Sequence, residues 1–461
     1  MAQPSHAKGA DLAHGNVRKL LFSLALPTIT SQIVNMLYNL VDRVYIGHIQ
    51  PADTVGALAL TGVGVCFPII LLISAFAALM GMGGAPRASI QEGRGDVAGA
   101  EHIMGNCLTM LVVTSLVLTA VFQLFAEPLL LTFGGSENTI DYALDYMRIY
   151  TMGTLFVQVT LGMNAFITAQ GFTSVSMKTV LIGALLNTIL DPIFIFLLDM
   201  GVKGAALATV LSQAVSAIWI LQFLTGKKTI LKLKMQNLRL VKKIILPCLG
   251  LGISSFVMIS TESILSISFT SSLQRFGGDL AVGAMTVMSS INQLVTMPLM
   301  GICQGGQPLI SFNYGARKME RVKKAFYCQF GVCVAYTVVF WILLMAIPNV
   351  FSGIFTSDVL LADYTAWALK IFLAGVFSVG FQISCQQAFM ALGQAKVSLL
   401  LACLRKLILL IPLIFILPLV MHNDVLAVFV AEPISDIAAA TVTTITFFVF
   451  FRKLIKKQKE V

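Results

Sequence analysis

Residues 185–196 read LLNTILDPIFIF, an apolar run that carries Asn187 and Asp191 four residues apart with Pro192 directly after the acid. On a helix these two positions share a face, about 6 Å apart along the axis, so amide and carboxylate point the same way. Pro192 lacks an N–H, which frees the carbonyl of Thr188 beside the acid. Gly183 continues the stripe one turn earlier and leaves room for a neighbouring helix or for water. Together these residues make an oxygen-rich pocket that suits a proton or a hard cation. The plain alternative is a packing motif in which a hydrogen-bonded Asp191 holds helices together. A carboxylate at mid-bilayer costs roughly 2.5–3.5 kcal/mol on insertion scales, so its presence calls for a role. The following segment, GAALATVLSQAVSA at 204–217, places Thr209, Ser212, Gln213 and Ser216 on adjoining faces, as further oxygen donors or as helix-packing groups.

Other polar residues interrupt apolar sequence. Asp42 sits beside Arg43 in NLVDRVYIGH near the outer end of the first apolar segment, either as a functional acid or in a solvated salt bridge at the interface. Pro27, fifteen residues earlier, is a candidate bending point. Glu262 in STESILS is flanked more deeply by apolar residues. Glu432 and Asp436 in AEPISDIAAA form a second acid pair at helical spacing, whose mutual repulsion disfavours double ionisation, and which is either functional or close to the outer water. Met285, Met288, Met297 and Met300 are either the adaptable wall of a substrate cavity or ordinary core filling. Met36 and Gln293 join Met285 and Met288 as cavity candidates.

The elements that must position these groups are membrane helices. The chain has 461 residues, 57% hydrophobic and 11% charged, with a mean hydropathy of +0.88, which excludes an ordinary soluble domain. Apolar segments of about 20 residues or more, enough to cross roughly 30 Å of hydrocarbon, recur along it. They predict twelve spans at 17–46, 54–82, 100–126, 139–168, 174–198, 201–224, 242–273, 278–311, 321–347, 360–392, 396–420 and 425–451, several long enough to be tilted or kinked. The fold class is therefore all-α polytopic membrane protein, with no strand pattern. Most of the 31 Lys and Arg fall in the N-terminal tail, the even-to-odd loops and the C-terminal tail, so both termini are expected in the cytoplasm. The basic segment GKKTILKLKMQNLRLVKK reads as a topology-setting loop and not as a nucleic-acid site. The polar first fifteen residues show no cleavable signal peptide.

Several function classes drop out. The eight cysteines occur singly without CxxC spacing, which indicates neither a disulfide framework nor a metal site. The five histidines, His6, His14, His48, His102 and His422, lie in tails or near helix ends, so no buried histidine relay or HExxH is present. Neither a P-loop nor a strand-borne GxGxxG occurs. An intramembrane enzyme lacks its nucleophile and base, and no cofactor is implied.

The two halves repeat at an offset of 220–222 residues. Pro27 pairs with Pro247, Asp42 with Glu262, GGAP at 83–86 with GGQP at 305–308, AQG at 169–171 with ALG at 391–393, and Val175-Ser176 with Val397-Ser398. Both first spans keep the same fifteen-residue separation of proline and acid. An even number of spans per copy predicts two lobes related by a pseudo-two-fold axis along the membrane normal, as in many secondary transporters. The expected organisation is a tail at 1–16, an N-lobe at 17–225, a basic linker at 226–241, a C-lobe at 242–451 and a basic tail at 452–461.

The stretches LALPTITSQIVNMLYNLVDRVYIGHI, GALALTGVGVCFPIILLISAFAALMGMGGAPRASI, AQGFTSVSMKTVLIGALLNTILDPIFIF and MGVKGAALATVLSQ resemble the multidrug and toxic compound extrusion family, in its MepA-type bacterial branch, over residues 17 to about 450. The resemblance implies a twelve-helix, two-lobe antiporter of the bacterial cytoplasmic membrane that expels cationic or amphipathic drugs against inward protons or sodium, as a monomer among membrane lipids. The family's N-lobe cation site maps onto Asp42, Asn187, Asp191 and Thr209, with Asn164 less firmly placed. Pro27 matches the family's first-helix proline, and Glu262 a seventh-helix acid of some members. Some members add an acid in the tenth span, where this chain has VFSVGFQISCQQAFMALG with Gln382, Gln386 and Gln387, which turns expectation towards the N-lobe. A lipid or lipid-linked-sugar flippase of related fold is the rival. It calls for several intramembrane cations facing a cavity, and only Arg405 and Lys406 approach that description.

Overall fold

The computed structural model describes residues 10–49, 55–355, 359–421 and 423–459. Among these residues, ten helices are long and apolar enough to cross a membrane, and two bent helix pairs bring the number of spans to twelve. In chain order, spans 1 to 6 are Val17–Gly47, Leu58–Gly93, Val97–Leu124, the pair Ile140–Met152 and Thr154–Ala169, Thr173–Leu197 and Gly201–Thr225. Spans 7 to 12 are Lys242–Gly278, Leu280–Gly315, Met319–Ala346, the pair Val359–Phe372 and Val376–Ala391, Ala395–Val420 and Asp424–Lys456.

The spans follow the hydropathy but outrun it. Span 2 extends to Gly93, past the apolar stretch, because its polar last turns pack between helices. Spans 4 and 10, expected as single helices, bend by 57° and 51°. Their breaks fall at Gly153 and Gly375, where a Cβ would collide with Val210 or lie 2.9 Å from Pro433 Cα. Close approach of a neighbouring span thus requires glycine at both bends. Span 1 is capped by Asn16, whose side chain accepts from the Arg18 and Lys19 amides, and span 3 by Asp96, which accepts from Gly99 N at 2.8 Å.

The repeat is visible in backbone geometry. Gly171 and Gly393, in the matching AQG and ALG turns, both take left-handed conformations, with φ of 83° and 72°. Gly278, at φ 63°, separates spans 7 and 8, which otherwise run on helically. Spans 1–6 and 7–12 form two six-helix lobes.

Each lobe has a core at either end, and at the end carrying the termini the two cores exchange helices. Leu21 and Leu24 of span 1 are buried with Phe326, Phe389 and Phe447 of the C-lobe, while Ile245 and Cys248 of span 7 are buried with Met104, Phe166 and Ile220 of the N-lobe. Glycines make this seam tight. A Cβ on Gly252 would overlap Leu79 O, one on Gly83 would overlap Cys248 O, and one on Gly305 would lie 2.5 Å from Ala25 Cα. Apolar surface buried this way drives the closure. The 226–241 linker docks on the N-lobe: Gln170 Oε1 accepts from the Ile230 and Leu231 amides at 3.0 and 2.8 Å, and Lys234 reaches Glu101 at 2.5 Å.

Candidate functional site

Span 5 carries Asn187 and Asp191 on its buried face, 1% and 0% exposed. Asn187 Nδ2 donates to Asp191 Oδ1 at 3.1 Å and to Thr209 Oγ1 of span 6 at 3.3 Å. One amide thus joins the two spans through the acid and the hydroxyl. Immediately after Pro192 the helix loosens into a π-helical segment, Ile193–Leu197, the distortion expected where a proline removes a backbone donor. Gly183 lies against Ser216, where a Cβ would come within 2.7 Å of its Oγ.

Of these groups Gly183, Asn187, Thr209 and Ser216, but not Asp191, border a cavity of about 190 Å³ also lined by Ser31, Gln32, Asn35 and Tyr38 of span 1, Thr160 and Asn164 of span 4, Thr179 of span 5, and Ser212 and Gln213 of span 6. Gln304 and Gln307 of span 8 reach in from the other lobe, and Gln32 Nε2 donates to Gln304 Oε1 at 3.0 Å. Asn164 Nδ2 donates to Ser176 O at 3.4 Å. The wall is therefore rich in polar side chains, set among Met82, Leu161 and Val180.

The oxygens outnumber the donors. Asp191 Oδ2, Asn187 Oδ1, Asn164 Oδ1, Gln213 Oε1 and Asp42 Oδ1 are all buried without a protein hydrogen-bond partner. A buried acceptor without a donor is costly. At Asp191 and Asn187, one helical turn apart, a proton or a small hard cation relieves that cost, and oxygen is the ligand type such ions prefer. Asn164 is bonded to Ser176 O, fifteen residues and roughly 22 Å along span 5 from Asp191. Two ionised carboxylates in this apolar setting repel as well, since Asp42 lies near enough to interact electrostatically with Asp191, and Tyr38 interacts with both. The residues present fit a monovalent cation or a proton.

Asp42 does not make the salt bridge that its neighbour suggests. Arg43 lays its guanidinium over the Phe67 ring, 5.5 Å from the centroid, and among the described residues no ion pair joins it to Asp42. Pro27 lies inside a continuous span 1, with Ser31 Oγ donating to its carbonyl at 2.9 Å. Thr28 donates across the lobe boundary to Gly301 O at 2.6 Å.

The other candidates are dispersed. Met288 is fully buried in the C-lobe core with Leu265, Phe372 and Phe429, and Met285 packs against that core, so both are core filling and not cavity wall. Gln293 is exposed, Met36 is half-buried, and neither lines the cavity. Gln386 is buried and donates to Ser398 O at 2.8 Å. Glu432 and Asp436 lie away from outer water, 6% and 3% exposed. Their repulsion is relieved because Arg405 sits between them, with Nη2 at 3.2 Å from Glu432 and 2.7 Å from Asp436. Lys406 pairs with Glu262, so neither cation is free. Residues 28, 31, 32, 35 and 38, which line the cavity but were not singled out from sequence, are nonetheless visible there as a polar stripe of helical period leading to Asp42.

Comparison with known proteins bears on the whole architecture. The MatE family model matches residues 27–193 and again 253–416, once in each lobe. The multidrug export protein MepA of Staphylococcus aureus (strain N315) is 24% identical over 403 residues, covering 87% of each chain, and MepA of Staphylococcus haemolyticus (strain JCSC1435) is 23% identical over 402. Among solved structures, a MATE protein in its bent conformation superposes with a TM-score of 0.91 at 23% identity, covering 99% of this chain and 100% of that one. The straight conformation gives 0.89 at 24% with the same coverage. With twelve spans in two lobes and a family match in each lobe that together take in well over half of the sequence, the chain belongs to the MatE family.

Proposed function

We propose that this protein is a secondary active exporter that moves organic cations or amphipathic drugs outward in exchange for inward protons, with sodium as the alternative coupling ion, and that the coupling site is the N-lobe set of Asp42, Asn187, Asp191 and Thr209, with Asn164 further along the same cavity. The observation that carries the reading is that Asp191 and Asn187, one turn apart on span 5, and Asp42 on span 1 each bury an oxygen that the protein leaves without a donor. Drug export is what the MepA relatives are named for. No other resident group is implied.

Antiport needs ion and drug not to travel together, which follows when both compete for the same carboxylates or favour opposite lobe arrangements. In this reading, protonation of Asp191 removes the charge that a drug cation requires. Span 1, which carries Pro27 and lines the cavity from Ser31 to Tyr38, is the element whose bending would shrink it. In this reading both termini lie in the cytoplasm, as the distribution of Lys and Arg suggests, and the glycine-lined seam is the contact between the lobes on that side. Alternating access then consists of opening this seam while the opposite end closes. The flippase reading loses its cations, because Arg405 and Lys406 are already paired with acids.

Efflux of ethidium from reconstituted liposomes under a pH gradient without sodium tests this. Wild type is expected to respond and Asp191→Asn to lose at least 10-fold in rate. Wild type that responds only to a sodium gradient changes the coupling ion. Intact coupled efflux in Asp191→Asn removes the site, and silence under both gradients favours the flippase.

A further inference from the structure

The C-lobe carries sequence counterparts of the N-lobe site, built differently. The offset of 220–222 residues places Glu262 at the equivalent of Asp42, Gln386 at Asn164, Glu432 at Ser212, Asp436 at Ser216 and Ile411-Pro412 at Asp191-Pro192. The correspondence extends to contacts: Asn164 donates to Ser176 O, and Gln386 donates to Ser398 O at 2.8 Å, both residues shifted by the same 222 positions. Span 11 has no acid at this level and carries Arg405 and Lys406 five to six residues earlier, at the positions equivalent to 183–186.

A π-helical segment, Leu404–Leu410, lets these consecutive residues serve two different helices. Arg405 turns to span 12, where Nε and Nη2 hold Asp436 at 2.8 and 2.7 Å and Nη2 holds Glu432 at 3.2 Å, while Ser435 Oγ donates to its carbonyl at 2.9 Å. Lys406 turns to span 7, where Nζ donates to Glu262 Oε1 and, at 2.7 Å, to Met258 O. Its side chain is 6% exposed and its ammonium is held by a carboxylate and a backbone carbonyl, an oxygen set of the kind a free cation would use. Arg405, Lys406, Glu432 and Asp436 together are neutral when all are ionised, which leaves the remaining charge on Glu262, whose side chain is 56% exposed.

We propose that Lys406 is a tethered resident cation: it is held on Glu262, the C-lobe counterpart of Asp42, so that the C-lobe takes up no exchangeable ion and coupling is confined to one lobe. Arg405 fixes the acids behind it. The proposal rests on the N-lobe reading for the word coupling, but the occupancy of the C-lobe is testable without transport. Removing the ammonium leaves three acids against one guanidinium, and the site must then recruit a cation from solution.

The experiment measures cation uptake by the purified full chain, with ²²Na⁺ retention and indicator-dye proton binding as the two probes. In wild type, Glu262→Gln is expected to leave both unchanged. Lys406→Gln is expected to gain about one equivalent of sodium or proton per chain, to keep it when Asp191→Asn is added, to lose it when Glu262→Gln is added, and to return to wild-type behaviour as Lys406→Arg. Loss of wild-type cation binding in Glu262→Gln overturns the proposal, as does a folded Lys406→Gln that gains neither ion. Should Lys406→Gln fail to fold, the Glu262→Gln comparison decides alone. Cation binding that survives Asp191→Asn in an otherwise wild-type chain counts against the N-lobe reading and leaves the Glu262 comparison intact.

Discussion

Asn187 occupies the centre of the candidate site because it alone bonds both the acid and the facing span. Its amide donates to Asp191 and to Thr209, so Asn187→Leu strips the carboxylate of its one described donor and also severs the tie to span 6. The expected result is a loss of at least 10-fold in ion-driven efflux with a melting temperature close to wild type, read from liposome flux and thermal unfolding of the same preparation. Thr209→Val removes a single acceptor of a weaker 3.3 Å bond. About 1 kcal/mol is at stake there, corresponding to a change of roughly fivefold, so an effect as large as that of Asn187→Leu would place Thr209 in direct contact with the ion. Phe326 shows the contrasting kind of residue. Fully buried among Phe330, Phe447 and Phe451, it serves the core, and Phe326→Ala is expected to cost about 3–5 kcal/mol in stability. A melting temperature unchanged in that variant would show that this aromatic cluster repacks freely.

Among the elements, the turns and the glycine seam bear most on conformation. Gly171 and Gly393 hold positive φ in the equivalent turns before spans 5 and 11. Gly→Ala at either position forces a left-handed alanine, and about 1–2 kcal/mol of destabilisation is expected from each, measured by thermal or denaturant unfolding. Gly252 acts differently, since a side chain there meets the Leu79 carbonyl of the other lobe. Gly252→Val is therefore expected to hold the terminus-bearing end apart without unfolding either lobe, seen as an increased distance between spin labels on spans 2 and 7. An unchanged distance together with unchanged transport would mean that the seam is not the moving boundary. Pro27 lies one residue from the Thr28–Gly301 bond, so any bend of span 1 at this level must also release an inter-lobe contact. This links the shape of one helix to the relation between lobes.

At the scale of the whole molecule, the two lobes are tied at one end by the segment that precedes span 1. Asn313 Nδ2 donates to Leu12 O at 2.9 Å, Lys318 Nζ to Ala13 O at 3.1 Å, and Arg321 Nη1 to Gly15 O at 2.9 Å, while Leu12 itself is buried in the C-lobe core. A strap from one lobe is thus held by polar side chains of the other. Arg321→Ala is expected to raise amide hydrogen exchange in residues 12–16 several-fold while leaving the span cores protected. Protection unchanged in that segment would show that the burial of Leu12 suffices.

Sequence alone determined the membrane class, the twelve spans, the repeat and the peculiarity of Asn187 and Asp191, because hydropathy, period and offset are properties of the chain and do not depend on which helices meet. The polar stripe from Thr28 to Asp42 was equally present there, as was the absence of an acid from residues 376–393, the second half of span 10. Partnership was not. That Arg405 relieves Glu432 and Asp436, that Lys406 answers Glu262, and that Met288 belongs to the core follow from which helices are neighbours and how a π-helical segment turns two consecutive side chains. The bends of spans 4 and 10 likewise depend on Val210 and Pro433 pressing against glycines. A charge inside an apolar segment announces a cost in the sequence, and only packing decides what offsets it.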